Sequence, residues 1–304
     1  MRRRSLLLTA ALLTAVPLRA RAATSKVVAT FGVLGDMVKR IGDDRVALTV
    51  IVGPDGDCET YEPTAADARA LADADLLVMN GLNREFEPWL DNLLQQAQFH
   101  GQRLVASDGV HALKRAEEEN RPAEAGAAEL DQHAWNDAAN AAIYAANITA
   151  ALGRLDPAHA DDYRRDGEDY RRELLALHAW AKQRIGEVPA AKRRVITSHD
   201  AFAYFARAYG IAIISARGWT TDKEPSATQV ANLIRQIRQD KVRAIFVENM
   251  EDPRLVQRIA HEAGGVVGGE LYADALSKPG EDGDTYVKMF RHNVEMLRAG
   301  MLKN

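Results

Sequence analysis

The stretch DPAHADDYRRDGEDYRRELLALHAWAKQRIGEVP, residues 156–189, decides how the chain is put together. Asp156 is a good helix N-cap, and Pro157 suits the first helical position, where its missing N–H costs nothing. Tyr163, Tyr170, Leu174, Leu177, Ala181, Ile185 and Val188 recur at steps of three, four or seven, which places them on one helical face. The other faces carry Asp161, Arg165, Glu168, Arg172, Lys182 and Arg184. Asp161–Arg165 and Glu168–Arg172 have the favourable i,i+4 order, acid first. Gly186 fits the position just past the helix end, and Pro189 forbids continuation. A helix of this length spans roughly 40 Å, about the width of a domain. The spacing therefore predicts a rigid strut over residues 156–188, joining two lobes with a cleft between them.

Outward from the strut, strands and helices alternate on both sides. On the N-terminal side, residues 26–31, 46–52, 76–79 and 104–106 read as strands. Residues 32–41, 65–72 and 86–96 read as helices. The run Val46-Ala-Leu-Thr-Val-Ile-Val52 is almost wholly apolar, as expected for a parallel strand covered on both faces. Residues 115–131 hold five glutamates and little that is apolar, and read as a mobile acidic loop. An alanine-rich helix from Ala134 to Leu152, ended by Gly153, leads into the strut. After Pro189 come strands at 194–198, 211–215, 244–247 and 266–271. Helices at 201–209, 228–239, 254–263 and 286–301 alternate with them, and a loop containing Trp219 covers 218–226. The fold class expected is α/β: two lobes, each a parallel sheet flanked by helices, joined by one long helix.

Composition agrees. A chain of 304 residues suits two domains, and 47% apolar with 27% charged residues is ordinary for a globular protein. The net charge of −4, without a basic stripe, argues against a nucleic-acid partner. Arg2, Arg3 and Arg4 followed by the apolar run Ser5–Leu18 and by Ala20-Arg-Ala22 read as a cleavable secretory signal. The expected division is residues 1–22 signal peptide, 23–155 N-terminal lobe, 156–188 linking helix and 189–304 C-terminal lobe. The single cysteine, Cys58, has no partner for an internal disulfide. No cysteine directly follows the apolar run, so a lipid-anchored N-terminus is not expected. No later stretch has the length and apolarity of a membrane span.

Ligands of open parallel sheets bind beyond the carboxyl ends of the strands. Four residues with metal-ligating side chains fall there. Glu59 follows the second strand, His133 opens the alanine-rich helix, His199 follows Val195-Ile-Thr-Ser198, and Asp274 follows the last strand. Two come from each lobe, and two imidazoles with two carboxylates suit a divalent first-row metal. Taken singly, each is an ordinary turn or surface residue. His100, His111, His159, His178, His261 and His292 have no such placement and read as structural or surface groups.

At these residues the sequence resembles the periplasmic solute-binding proteins of zinc and manganese ABC transporters, over essentially the whole mature chain. The resemblance rests on Gly53-Pro-Asp-Gly-Asp57 with Tyr61-Glu-Pro-Thr64, Asp75-Leu-Leu-Val-Met-Asn-Gly-Leu-Asn83 and Asp131-Gln-His-Ala-Trp135. It rests further on Thr197-Ser-His-Asp-Ala-Phe202, Glu224-Pro-Ser226 and Leu271-Tyr-Ala-Asp-Ala-Leu-Ser277. It implies capture of a divalent ion, Zn2+ or Mn2+/Fe2+, as transported ligand, and delivery to an ABC-transporter membrane permease. A periplasmic metal chaperone is a further partner, and the protein is expected to be a periplasmic monomer rather than an enzyme. His133, His199 and Asp274 match family ligands. Where the family usually has a histidine, two residues before Tyr61, this chain has Glu59, preceded by Cys58. The expectation is that Glu59 ligates and that Cys58 is a small buried residue. Many zinc-binding members have a histidine-rich segment where this chain has its acidic one.

Two other readings have definite signatures. A metal-dependent hydrolase would leave an open coordination position with a base, such as Glu59, beside it. A degenerate-site accessory chaperone would follow from loss of the first histidine.

Overall fold

The computed structural model describes residues 24–114, 130–216, 221 and 225–304. Residues 1–23 lie outside it, so the signal-peptide reading concerns residues that are not described. The same holds for 115–129 of the acidic segment and for most of the 218–226 loop.

In the first half, strands β1 (Ser25–Phe31), β2 (Val46–Val52), β3 (Leu76–Met79) and β4 (Gln102–Val105) form an all-parallel sheet of order β2-β1-β3-β4. In the second, β5 (Arg194–Thr197), β6 (Ala212–Ser215), β7 (Ala244–Glu248) and β8 (Val266–Leu271) form another, of order β6-β5-β7-β8. The two orders are the same pattern shifted by four strands, so the lobes repeat a topology that leaves no repeat in the sequence. In each sheet the direction of winding reverses beside the first strand, between β1 and β3 and between β5 and β7. Such a switch point is where a crevice opens.

Helices α1 (Gly32–Gly42), α2 (Ala65–Ala72) and α3 (Leu90–Gln96) connect the first sheet. Thr64 caps α2 in a capping box with Asp67. Helix α4 (Ala138–Leu155) packs against the long α5 (Ala160–Gly186). The second half adds α6 (Ala203–Tyr209), α7 (Ala227–Asp240), α8 (Arg254–Ala263) and α9 (Tyr286–Met301). All seven apolar residues of the expected strut face are buried. They belong to one core that runs from β1 through α5 to α9, with a smaller cluster under α7 and α8.

Several local expectations need correction. The strut does not start as an α-helix at Pro157: residues 157–159 form a 3-10 turn, and α5 begins at Ala160. Asp156 instead accepts from the side chains of His159 and Tyr163. Gly186 is the last helical residue rather than a left-handed cap, with Glu187 at the C-cap. The expected i,i+4 pairs are replaced by i,i+3 pairs, Asp161–Arg164, Asp162–Arg165 and Asp169–Arg172, because acids stand at both spacings. Being exposed, such pairs add little stability. Gly153 does not end α4, which runs on to Leu155. Helix α3 starts at Leu90, not Phe86. β2 is an edge strand with partly exposed middle residues, not one covered on both faces.

The lobes are tied directly as well as through α5. Trp135 Nε1 donates to the Ala273 carbonyl (2.8 Å), and Tyr286 Oη donates to the Trp135 carbonyl (2.6 Å). Asn136 Nδ2 donates to the Ala201 carbonyl (3.0 Å). The Asp55 N–H donates to the Leu276 carbonyl (2.9 Å), and Asp36 accepts the Tyr286 N–H at the start of α9 (2.9 Å). These bonds join the two halves of the chain through residues that follow the carboxyl ends of β2, β5 and β8, among others.

Candidate metal centre

His133 follows β4 by way of the acidic segment and opens a 3-10 turn over residues 134–136. Asp131, two residues earlier, accepts both the His133 backbone N–H (2.9 Å) and Nδ1 (2.8 Å) on one oxygen. That fixes the proton on Nδ1 and turns the Nε2 lone pair away from the turn. Phe86 and Trp135 pack edge-on to the ring.

His199 leaves the end of β5. The neighbouring strand β7 ends in Glu248, which accepts the N–H groups of Ser198 (2.9 Å) and His199 (3.2 Å) on Oε1. Its Oε2 accepts His199 Nδ1 at 2.5 Å. A second carboxylate, Glu251 Oε1, lies 3.3 Å from the same nitrogen. The two imidazoles are thus oriented in the same way, each by a buried carboxylate behind it, one from each lobe.

Asp274 lies just beyond β8, fully buried between them. Its oxygens stand 3.2 Å from His199 Nε2 and 3.8 Å from His133 Nε2, and the two rings are 5.3 Å apart at their centroids. Ligand atoms of His133, His199 and Asp274 all fall within 4.8 Å of one another. Yet His133 Nε2, His199 Nε2 and both oxygens of Asp274 are buried without a hydrogen bond of good geometry. Four orphaned polar atoms converging in one place are costly in a folded protein. A divalent cation among them removes that cost, so the donor set fits such an ion.

Charge in the cluster is set by burial working against neighbours. Burial alone would drive the imidazoles down, but Asp274 and Asp131 hold His133 above its ordinary pKa. Glu248 and Asp274 hold His199 well above its own. Burial would raise Asp274, but the two imidazoles hold it below the usual carboxylate range. The imidazoles and Asp274 thus each favour the charged form of the other.

Glu59 reaches the same cleft from the turn after β2, where its N–H donates to Asp57 Oδ1 (2.9 Å). It is 7% exposed, and burial pushes its pKa up to about 7. The nearby His199 and His133 pull that value down, and Asp274 adds to the rise. Its carboxylate is not in the group whose ligand atoms all lie within 4.8 Å. Gln132 Nε2 donates to Oε1 (2.7 Å), and the Thr221 N–H donates to Oε2 (2.7 Å). Cys58 is buried, with its carbonyl accepting Trp89 Nε1 (2.8 Å), and burial pushes its thiol up, away from the thiolate a metal needs. No metal-ligand group found among the described residues includes it.

Of the four sequence candidates, the structure brings three together and places Glu59 beside them. The orienting residues Asp131, Glu248 and Glu251, and the Glu59 partners Gln132 and Thr221, were not singled out from sequence. Asp131 had a signal, an acid two residues before a candidate ligand. Glu248 had a weaker one, an acid ending the strand next to the one that delivers His199.

Comparison with known proteins bears on this arrangement. Residues 27–300 match the model of the family described as zinc-uptake complex component A, periplasmic. A manganese ABC transporter substrate-binding lipoprotein of Streptococcus pneumoniae is 34% identical over 284 residues, covering 91% of this chain and 89% of that protein. Among solved structures, the periplasmic zinc-binding protein TroA of Treponema pallidum superposes with a TM-score of 0.82. It is 31% identical, with 90% of this chain and 98% of that one covered. A manganese-bound periplasmic metal-binding protein of Candidatus Liberibacter asiaticus gives a TM-score of 0.79 at 28% identity, covering 91% and 99%.

Proposed function

Because the chain belongs to the family of the periplasmic zinc-uptake component A, we propose that it captures one divalent ion, zinc or manganese/iron, in the interlobe cleft. It then hands that ion to the permease of an ABC transporter. The observation that carries this reading is the convergence of His133 Nε2, His199 Nε2 and both Asp274 oxygens, buried and orphaned between two lobes. Glu59 completes the set as fourth ligand. With Asp274 it would neutralise a divalent charge in full, and its hard oxygen shifts preference from zinc toward manganese or iron. For zinc, four protein ligands fill the tetrahedral sphere and leave no open position for a reacting water, so the site is suited to holding that ion rather than using it to activate water.

Capture exchanges charge. The dication replaces the protons on the two imidazoles, and Asp131 and Glu248 keep each ring in the tautomer that offers Nε2. The lobe division at residues 23–155 and 189–304, with 156–188 between, then means that each half supplies two ligands. Removal of residues 1–22 on export would deliver the mature chain, as a monomer, to the compartment where the permease, and any metal chaperone, can meet it.

The test is elemental analysis of the protein purified from the periplasm, followed by competition between zinc and manganese. One equivalent of a divalent transition metal is expected. A chain purified without metal that takes up neither ion would refute the reading.

A further inference from the structure

Position 59 is surrounded by donors. Asn83 Oδ1 accepts the Glu85 N–H (3.0 Å), so Asn83 Nδ2 faces the other way and donates to the Leu130 carbonyl (3.1 Å) and to Gln132 Oε1 (3.4 Å). The Gln132 amide is therefore fixed with its oxygen toward Asn83 and its NH2 toward Glu59, 2.7 Å away. Gln132 is fully buried, and Asn80 Nδ2 donates to its backbone carbonyl (2.9 Å), which holds the main chain at this position. On the opposite side the Thr221 N–H points at Glu59 Oε2. The Thr221 hydroxyl donates to Asp57 Oδ2 (2.7 Å) and lies 3.2 Å from the same Glu59 oxygen.

An ionised carboxylate is acceptor-only, with about four lone-pair sites on two oxygens. Gln132 takes one on Oε1 and Thr221 one on Oε2, which leaves one on each oxygen for a cation. A neutral imidazole has a single lone pair. Turned to Gln132, it leaves an N–H aimed at the cation position. Turned to the cation, it sets an N–H against the Gln132 NH2, donor facing donor in place of the bond to Glu59, which is costly.

We propose, resting on the site assigned above, that Gln132, supported by Thr221, is a specificity-determining residue: its fixed NH2 admits a carboxylate and rejects an imidazole as the metal ligand at position 59. The oxygen content of the site, and with it the choice between a harder ion and zinc, is written in residue 132 as much as in residue 59. Gln132→Glu would turn the donor into an acceptor that receives an imidazole N–H, freeing the other ring nitrogen for metal.

The experiment compares zinc and manganese dissociation constants, by competition with a chromophoric chelator, for the full mature protein and for E59H, E59H/Q132E, E59H/Q132L and H133A. Unfolding midpoints of the metal-free forms are read alongside. E59H alone is expected to lose at least thirtyfold in zinc affinity, and either double variant to recover at least tenfold of that. The zinc-to-manganese affinity ratio of the doubles should rise at least tenfold above that of the unsubstituted protein. If one double variant fails to fold, the other decides. Doubles that bind zinc no better than E59H, or an E59H that needs no rescue, overturn the proposal and leave the metal centre standing, provided H133A has lost its affinity. An H133A that binds as tightly as the unsubstituted protein overturns both.

Discussion

Glu248 Oε2 lies 2.5 Å from Nδ1 of His199, and this fixes which nitrogen of His199 looks into the cleft. The far nitrogen, Nε2, stands 3.2 Å from Asp274. A strand-end acid of the C-terminal lobe thereby decides the tautomer of a proposed metal ligand. Asp131 does the same for His133 in the N-terminal lobe.

Glu248→Gln should therefore weaken metal binding without removing a ligand. The amide can offer an N–H to Nδ1, which drives the ring proton onto Nε2, the nitrogen that must be bare. Loss of such an orienting partner costs about 10–100-fold in metal affinity. A chelator competition would measure it, with the metal-free unfolding midpoint as control. Unchanged affinity would show that Glu248 only fastens the strand ends.

The pH dependence has a definite sign. Both imidazoles sit above their ordinary pKa in the metal-free fold, and Glu59 is raised to about 7. A raised group holds more protons folded than unfolded, so its contribution falls as pH rises. For Glu59 the window runs from its ordinary value of 4.5 to about 7. For the histidines, the contribution is full below 6.5 and is lost as pH climbs through the raised values. Metal binding works the other way, because its ligands must be deprotonated. The gap in melting temperature between metal-loaded and metal-free protein should widen steadily from pH 6 to pH 8. A gap that narrows over that range would contradict the assigned ligands.

Gly167 tests the seating of the linking helix. A Cβ there would stand 1.9 Å from Thr149 Oγ1 and 2.9 Å from its Cβ on α4. Gly167→Ala should cost about 1–3 kcal/mol by overpacking, despite the better helix propensity of alanine. Thr149→Ala in the same chain should recover most of the loss. Urea unfolding of the single and double variants measures both.

Much of this was legible in the sequence, for reasons that individual residues show. The apolar face of the strut was plain because seven residues hold their period over seven turns. The positions of His199 and Asp274 were plain because each directly follows a strand, and parallel sheets bind at that end. The ends of the strut were not legible: Asp156 and Pro157 spell a cap, yet side-chain bonds from His159 and Tyr163 occupy the Asp156 carboxylate, and a tight turn comes first. The exposure of β2 depends on its place at the sheet edge, which local pattern does not encode. Gln132 and Glu248 escaped notice because their meaning lies in contacts 73 and 49 residues away along the chain.

The most direct test is equilibrium titration of the metal-free mature protein with zinc and with manganese, beside His133→Ala and His199→Ala. One site per chain is expected, with tight binding lost when either histidine is removed, since they come from different lobes. Thermal unfolding in the same samples should show about 2.7 kcal/mol of added stability once metal reaches a hundred times its dissociation constant. Either alanine variant binding both metals as tightly as the unsubstituted protein would place the site elsewhere and contradict the assignment.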